Sequence, residues 1–171
     1  MKPEQPRLTL ERTTLDLFLD GLAIASWMSG LAVVLSSWSD LPERLPMHFD
    51  MAGQPNRWGP RGELFVLPTI SFVLLISMAV LSRFPHIYNY LVVITEQNAP
   101  RQYRLAVRLI QSLNILLQAL FAVIVWIVIR ASQGHSHPGV WLVPVLVAGT
   151  FVLLIVYLVK ASSGPSSRRT S

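Results

Sequence analysis

Four long apolar runs, separated by short polar connections, constrain this chain more than any other feature of it. They fall at about residues 15–38, 64–82, 106–129 and 140–159. At 1.5 Å per residue, about 20 helical residues cross the ~30 Å of hydrocarbon in a bilayer. Lipid offers no hydrogen bonds to the backbone, and a helix satisfies its own N–H and C=O groups. The expectation is an all-α fold: a four-helix transmembrane bundle forming one domain over residues 1–160, followed by a disordered tail at 161–171. Composition agrees, since only 13% of the 171 residues are charged, about half the share found in soluble domains.

Proline and caps refine the helix ends. Pro68 falls in the first turns of the second run, where a missing N–H costs least. The third run extends back toward Thr95–Asn98, either of which can cap it, with Pro100 in its opening turn. Ala23-Ile24-Ala25 has the small residues of a signal-peptide cleavage site. The apolar stretch before it is short and holds Asp16 and Asp20, and the hydrophobicity continues beyond it, so the reading is an uncleaved helix.

Basic residues set the orientation. Lys2, Arg7 and Arg12 precede the first run, Arg83, Arg101, Arg104 and Arg108 surround the second connection, and Lys160, Arg168 and Arg169 lie in the tail. An even number of spans puts these ten of the 14 basic residues on one side, against Arg44, Arg57, Arg61 and Arg130 on the other. By the positive-inside rule both termini are cytoplasmic, in a cell membrane, and the connection after the first run is extracytoplasmic. The net charge of +5 is explained by these flanks. With no basic face or recognition motif, nucleic acid is not an expected partner.

Polar residues within the runs fall into two sets. Asp16 and Asp20 stand four apart on the first helix, as do Arg104 and Arg108 on the third, all at the cytoplasmic boundary. Either the two pairs meet there or all four reach the headgroups. Gln111, Asn114 and Gln118 continue one sector of the third helix. They suit helix-to-helix hydrogen bonding better than an ion or proton path, because no carboxylate lies at mid-membrane depth. Gly21, Ala25 and Ser29 form a small-residue ridge on the first helix, fit for close approach by another helix of the bundle or of a partner.

The connection Leu41–Gly59, LPERLPMHFDMAGQPNRWG, is long and polar. Pro42, Pro46 and Pro55 stiffen it. Asp50 and Gly53 are spaced as the ends of a type I turn, and Gln54-Pro55-Asn56-Arg57 suits a second turn. Trp38, Phe49 and Trp58 supply apolar handles at interfacial depth, so an ordered cap over the helix ends is expected. The pattern from Leu41-Pro42 through Leu45-Pro46, His48-Phe49-Asp50, Gly53, Pro55-Asn56 and Trp58-Gly59 resembles the signature loop of a bacterial multi-pass membrane family of unknown function. That domain also forms the N-terminal part of the sporulation-delay toxin immunity proteins. Asn89-Tyr90 and the stretch from Ile94 to Arg104 look like a second shared segment. Asp50 stands where the family more often has Asn, and Pro100 interrupts a usual helix start. The resemblance implies an extracytoplasmic loop that meets a peptide or other ligand through Pro46, His48, Phe49, Asp50, Gly53, Pro55 and Trp58.

Chemistry beyond binding has little support. His48 and Asp50 in one outer connection, with His135 and His137 in the other, would offer zinc ligands if the two folded together; otherwise no cofactor is expected. There is no cysteine, and no nucleophile elbow, paired carboxylates or phosphate loop. The leading reading is a non-catalytic membrane protein of immunity or sensor type. A structural subunit of a larger membrane complex is the alternative, and a small transporter or metal-dependent enzyme a third.

Overall fold

The computed structural model describes residues 5–50, 52–134 and 141–163. His135 and His137, and the tail beyond Ser163, lie outside the described residues. Helix α1 (Thr14–Ser37) opens with a reciprocal cap. The Thr13 hydroxyl oxygen accepts from the Asp16 N–H at 3.3 Å, and the Asp16 carboxylate accepts from the Thr13 N–H at 2.8 Å. Two orphan donors of the first turn are thereby satisfied. Helices α2 (Val66–Leu81), α3 (Ala99–Ser132) and α4 (Leu142–Ser162) follow. Helix α3 starts at Ala99, earlier than its apolar run, because Thr95 and Asn98 bond reciprocally just before it and Pro100 occupies its first turn. Helix α4 runs on to Ser162, so the first residues assigned to a tail are helical.

All four helices are long and apolar enough to cross a membrane. The outward faces of α1, α2 and α4 carry Phe18, Val73, Phe151 and Ile155, each more than half exposed. Contiguous apolar surface on this scale is unfavourable in water and matched to lipid. Helix α3 is the hub, packing against α1, α2 and α4, whereas α4 packs on α3 and makes no comparable contact with α1 or α2.

The α1–α3 seam follows Asp16, Ala23, Gly30 and Val34, the buried residues of α1. The steps of seven, seven and four residues keep one face on its neighbour. A Cβ built on Gly30 would lie 3.1 Å from both Cα and Cβ of Ala122, so the backbones touch because the side chain is absent. The expected ridge of Gly21, Ala25 and Ser29 is exposed instead, and a Cβ on Gly21 meets nothing within 4 Å. Within the bundle, close approach belongs to Gly30, a third of a turn away from that ridge.

The fold is not purely helical. Strands β1 (Arg44–Phe49) and β2 (Pro55–Pro60) form an antiparallel hairpin in the long connection, with Leu45 opposite Gly59 and Phe49 opposite Pro55. The turn at 50–53 forms, with Gly53 N–H donating to Asp50 O at 2.9 Å and Gly53 at φ 76°. Of the expected second turn at 54–57, residues 55–57 are strand. A two-stranded sheet has only edges, so proline costs it no ladder donor on the outward side. Leu41, Leu45 and Leu64 bury against Val34, Val125, Val128 and Ile129, which pins the hairpin to the ends of α1 and α3.

At the other end the N-terminal segment lies across the bundle. Gln5 Nε2 donates to Tyr88 O at 2.9 Å and Tyr103 OH to Pro6 O at 2.8 Å. Burial pushes the Tyr88 phenol up to about 12, and burial, with neighbouring tyrosines, also raises Tyr90. Both phenols stay neutral donors there. Arg101 and Gln102 donate to the carbonyls of Lys160 and Ala161, which satisfies the end of α4.

Gly30→Leu is expected to force α1 from α3 and lower the thermal midpoint in mild detergent by several degrees, in the range of overpacking costs of about 1–3 kcal/mol. Gly21→Leu should leave it unchanged. Equal effects would mean that the seam is misplaced.

Candidate functional site

Two groups of polar residues stand out, one in the seam of the bundle and one at the hairpin. In the seam, Arg104 Nη1 and Arg108 Nε each lie 3.4 Å from an Asp16 oxygen. Asp16 is only 5% exposed. Asp20 takes a different cation, Arg12, and accepts from Gln111 Nε2 at 2.8 Å. Gln111 Nε2 also donates to Asp16 O at 3.0 Å, joining α3 to α1. Asn114 Nδ2 donates to Leu75 O of α2 at 3.3 Å, and Gln118 Nε2 to Asn114 Oδ1 at 3.0 Å. Gln111 thus ties α3 to α1 and Asn114 ties it to α2, while Gln118 supports Asn114 from within α3. The Arg12 partnership could not be read from helical spacing, because Arg12 precedes the helix.

The seam is polar over one half only. Gln118 Oε1 is buried without a partner and borders a cavity of ≈ 10 Å³ that Ser71 and Pro68 also line. That is about the room one water needs. From Ala119 to Ile129, α3 carries no charged or amide side chain. Val34, Leu64 and Val125 close the interior there.

At the other end, the hairpin roofs a cleft of ≈ 1400 Å³. Its floor is apolar: Val66 and Leu67 from α2, Ile124 and Val128 from α3, Val143 and Pro144 from α4. Its rim is polar, with His48, Asp50, Gln54, Arg57 and Glu63. Asp50 Oδ1 accepts from the N–H groups of Ala52 and Gln54 at 2.9 and 2.8 Å, which holds the turn. His48 Nδ1 lies 2.6 Å from Asn56 Oδ1 across the strands. Arg57 Nη1 pairs with Glu63 Oε2 at 3.0 Å. Gly59 leaves room for the Glu63 carboxylate where it stands, since a Cβ there would sit 2.7 Å from Glu63 Oε1.

Of the loop residues singled out in the sequence, His48, Phe49, Asp50 and Gly53 line the cleft. Pro46 is buried, Pro55 pairs with Phe49 in the hairpin, and Trp58 is 49% exposed outside the cleft lining. Sequence reasoning missed Arg57 and Glu63 as rim residues. Their six-residue spacing has no helical or strand signature, and only the turn into α2 brings them together. No group of three or more histidine, aspartate or glutamate side chains that could hold a metal occurs among the described residues. His135 and His137 lie outside them.

A mostly helical multi-pass membrane protein with a hairpin-roofed cleft is the class these features define. Residues 23–72, from the third turn of α1 through the hairpin into α2, match DUF1648, a domain of unknown function. An uncharacterized protein of Archaeoglobus fulgidus is 35% identical over 63 residues, covering 32% of this chain and 34% of the relative. The chain therefore matches about a third of that relative's length. No solved structure matches the chain.

Asp16→Asn removes the charge that faces Arg104 and Arg108 and is expected to cost about 1–3 kcal/mol, the range for hydrogen bonds to a buried charged group. Trp58→Ala, at a half-exposed position, should cost well under that. Unfolding in detergent micelles checks both, and an Asp16→Asn protein as stable as the parent would remove the carboxylate from the seam's support.

Proposed function

We propose that this is a non-catalytic cell-membrane protein of immunity or sensor type, with cytoplasmic termini, whose extracytoplasmic hairpin and cleft bind an amphipathic ligand. The ligand is a peptide or a smaller molecule with one polar and one apolar side. The observation that carries this reading is the pairing of a polar rim and an apolar floor around ≈ 1400 Å³. That exceeds the roughly 300–1,000 Å³ of common small-molecule sites. The rim's ionisable groups are engaged in holding the hairpin, with Asp50 on its turn and Arg57 on Glu63. This favours binding over acid–base chemistry.

The basic residues support the orientation. Arg101 reaches Lys160 O and Arg104 reaches Glu11 O, so these clusters share the end opposite the hairpin. A second reading, a subunit of a larger membrane assembly, is favoured by the exposed ridge of Gly21, Ala25 and Ser29. It predicts a co-purifying partner that Gly21→Leu removes.

The absence of cysteine makes single-cysteine labelling clean. Gln54→Cys should react with an impermeant maleimide on intact cells, and Ser163→Cys only after permeabilisation; the reverse pattern would invert the protein. With a bimane label on Gln54→Cys in micelles, adding a short amphipathic peptide or, separately, a lysophospholipid should give a saturable change with at least one of them. Leu67→Trp, which fills the floor, should abolish it. A change with neither, or one indifferent to Leu67→Trp, would remove the cleft as a binding site.

A further inference from the structure

The cleft has an open flank as well as a mouth. Its walls at the hairpin end are α2 and α4, each packed on α3 and with no comparable contact between them. Val66 and Pro144, which line the cleft on these two walls, are both exposed. The floor residue Ile124 lies seven residues, about 10 Å, along α3 from Ala131 at the rim. Trp141, 77% exposed, stands beside the opening where tryptophan marks the interface between headgroups and hydrocarbon. The flank therefore faces acyl chains, and the rim is level with headgroups.

We propose that a zwitterionic phospholipid bearing a primary ammonium, of the phosphatidylethanolamine type, enters sideways between α2 and α4 and occupies this cleft. The proposal rests on the cleft being a binding site and names the chemical class it holds within the bilayer. The charge pattern of the rim selects the headgroup. Arg57 is the one cation lining the cleft among the described residues, and Asp50 and Glu63 are its carboxylates. A headgroup phosphate takes the Arg57 guanidinium as a charge-assisted partner. The ammonium then lies against Glu63, released from Arg57, and Asp50 Oδ2, which the turn does not use. A primary ammonium has three N–H donors for these carboxylates. An anionic lipid such as phosphatidylglycerol brings the same phosphate without the ammonium, so the two carboxylates stay unpaired beside it, and like charges disfavour that. The acyl chains cover Val66, Leu67 and Ile124, apolar floor surface that the described side chains leave open.

The test uses full-length protein reconstituted in nanodiscs of equal phosphatidylethanolamine and phosphatidylglycerol, transferred to mild detergent and weighed by native mass spectrometry. The expected result is one retained phosphatidylethanolamine, preferred about fivefold over phosphatidylglycerol, the discrimination a partly exposed ion pair provides. Leu67→Trp with Ile124→Trp should lower retention several-fold, while Phe18→Trp, on the lipid-facing side of α1, should not. Arg57→Gln with Glu63→Gln should keep a retained lipid and erase the preference. Equal retention of both lipids by the parent, or retention indifferent to the two tryptophans, would overturn the proposal. If bimane-labelled Gln54→Cys still saturates with added peptide in that case, the cleft survives as a binding site and only its lipid is lost.

Discussion

The structure depends on how α3 holds its neighbours in a solvent that gives apolar faces no reason to associate. Between helices in lipid, the driving terms are close packing and interhelical hydrogen bonds, the latter averaging about 0.6 kcal/mol. This protein uses the two on different halves of one seam. At the end opposite the hairpin, Asp16, Asp20, Gln111 and Asn114 cross-link α1, α2 and α3, with Gln118 holding Asn114 from within α3. Midway, Gly30 against Ala122 replaces polar bonds with backbone proximity. At the hairpin end, Val34, Leu64, Val125 and Val128 form an apolar plug. The polar half is costly to hold apart in hydrocarbon, so it fixes which helix faces which. The apolar half is tolerant, and that is where an extra element is accommodated.

That extra element explains why α4 can sit apart. Its contacts are with α3 alone among the close ones, and near Tyr157 its end is tied down by Arg101 and Gln102 through Lys160 and Ala161. A helix anchored firmly at one end and supported on one side leaves a gap at its other end. Across that gap α2 begins with the 3-10 turn Arg61–Phe65, which carries Glu63 to Arg57. Arg61 lies over the Trp38 ring at 4.8 Å, and Trp38 meets Phe65 at 5.0 Å. The hairpin's base is thus held by α1, α2 and α3, with no comparable contact to α4 among the described residues, and the cleft opens on that side.

Much of this was legible in the sequence, and the limits have physical causes. Helix number and placement follow from hydropathy, because lipid imposes one solution on a long apolar run. The nearness of Asp16 to Arg104 and Arg108 could be anticipated, since charges at the same depth seek each other. The hairpin could not be read, because Pro46, Pro55 and Pro60 mask alternation and the register slips between Pro46 and Phe49. Strand signals assume a sheet interior, and a two-stranded ribbon has none. The ridge was misplaced within the bundle for a related reason. Gly21, Ala25 and Ser29 have the right spacing, but so does the Ala23–Gly30 seam, and only the partner Ala122 decides between them. The cleft floor was beyond reach altogether, because Leu67, Val128 and Val143 are ordinary apolar residues until three helix ends converge.

The division of labour between the two ends bears on what the hairpin can do. Its strands are held by two kinds of attachment that respond differently to load. Leu41, Leu45 and Leu64 lock its base into the plug. Its tip is held by local bonds of Asp50 to its own turn and of His48 to Asn56, all exposed to water and individually worth about 1 kcal/mol. A ligand pressing on the tip therefore rearranges a few weak bonds without disturbing the bundle. A ligand that reaches the floor meets Leu67 and Val128, which are continuous with the plug and with α3. The floor and the hairpin base are continuous with α3 through the plug, whereas the tip rests on local bonds alone, so the two parts of the hairpin differ in how firmly they are coupled to the bundle.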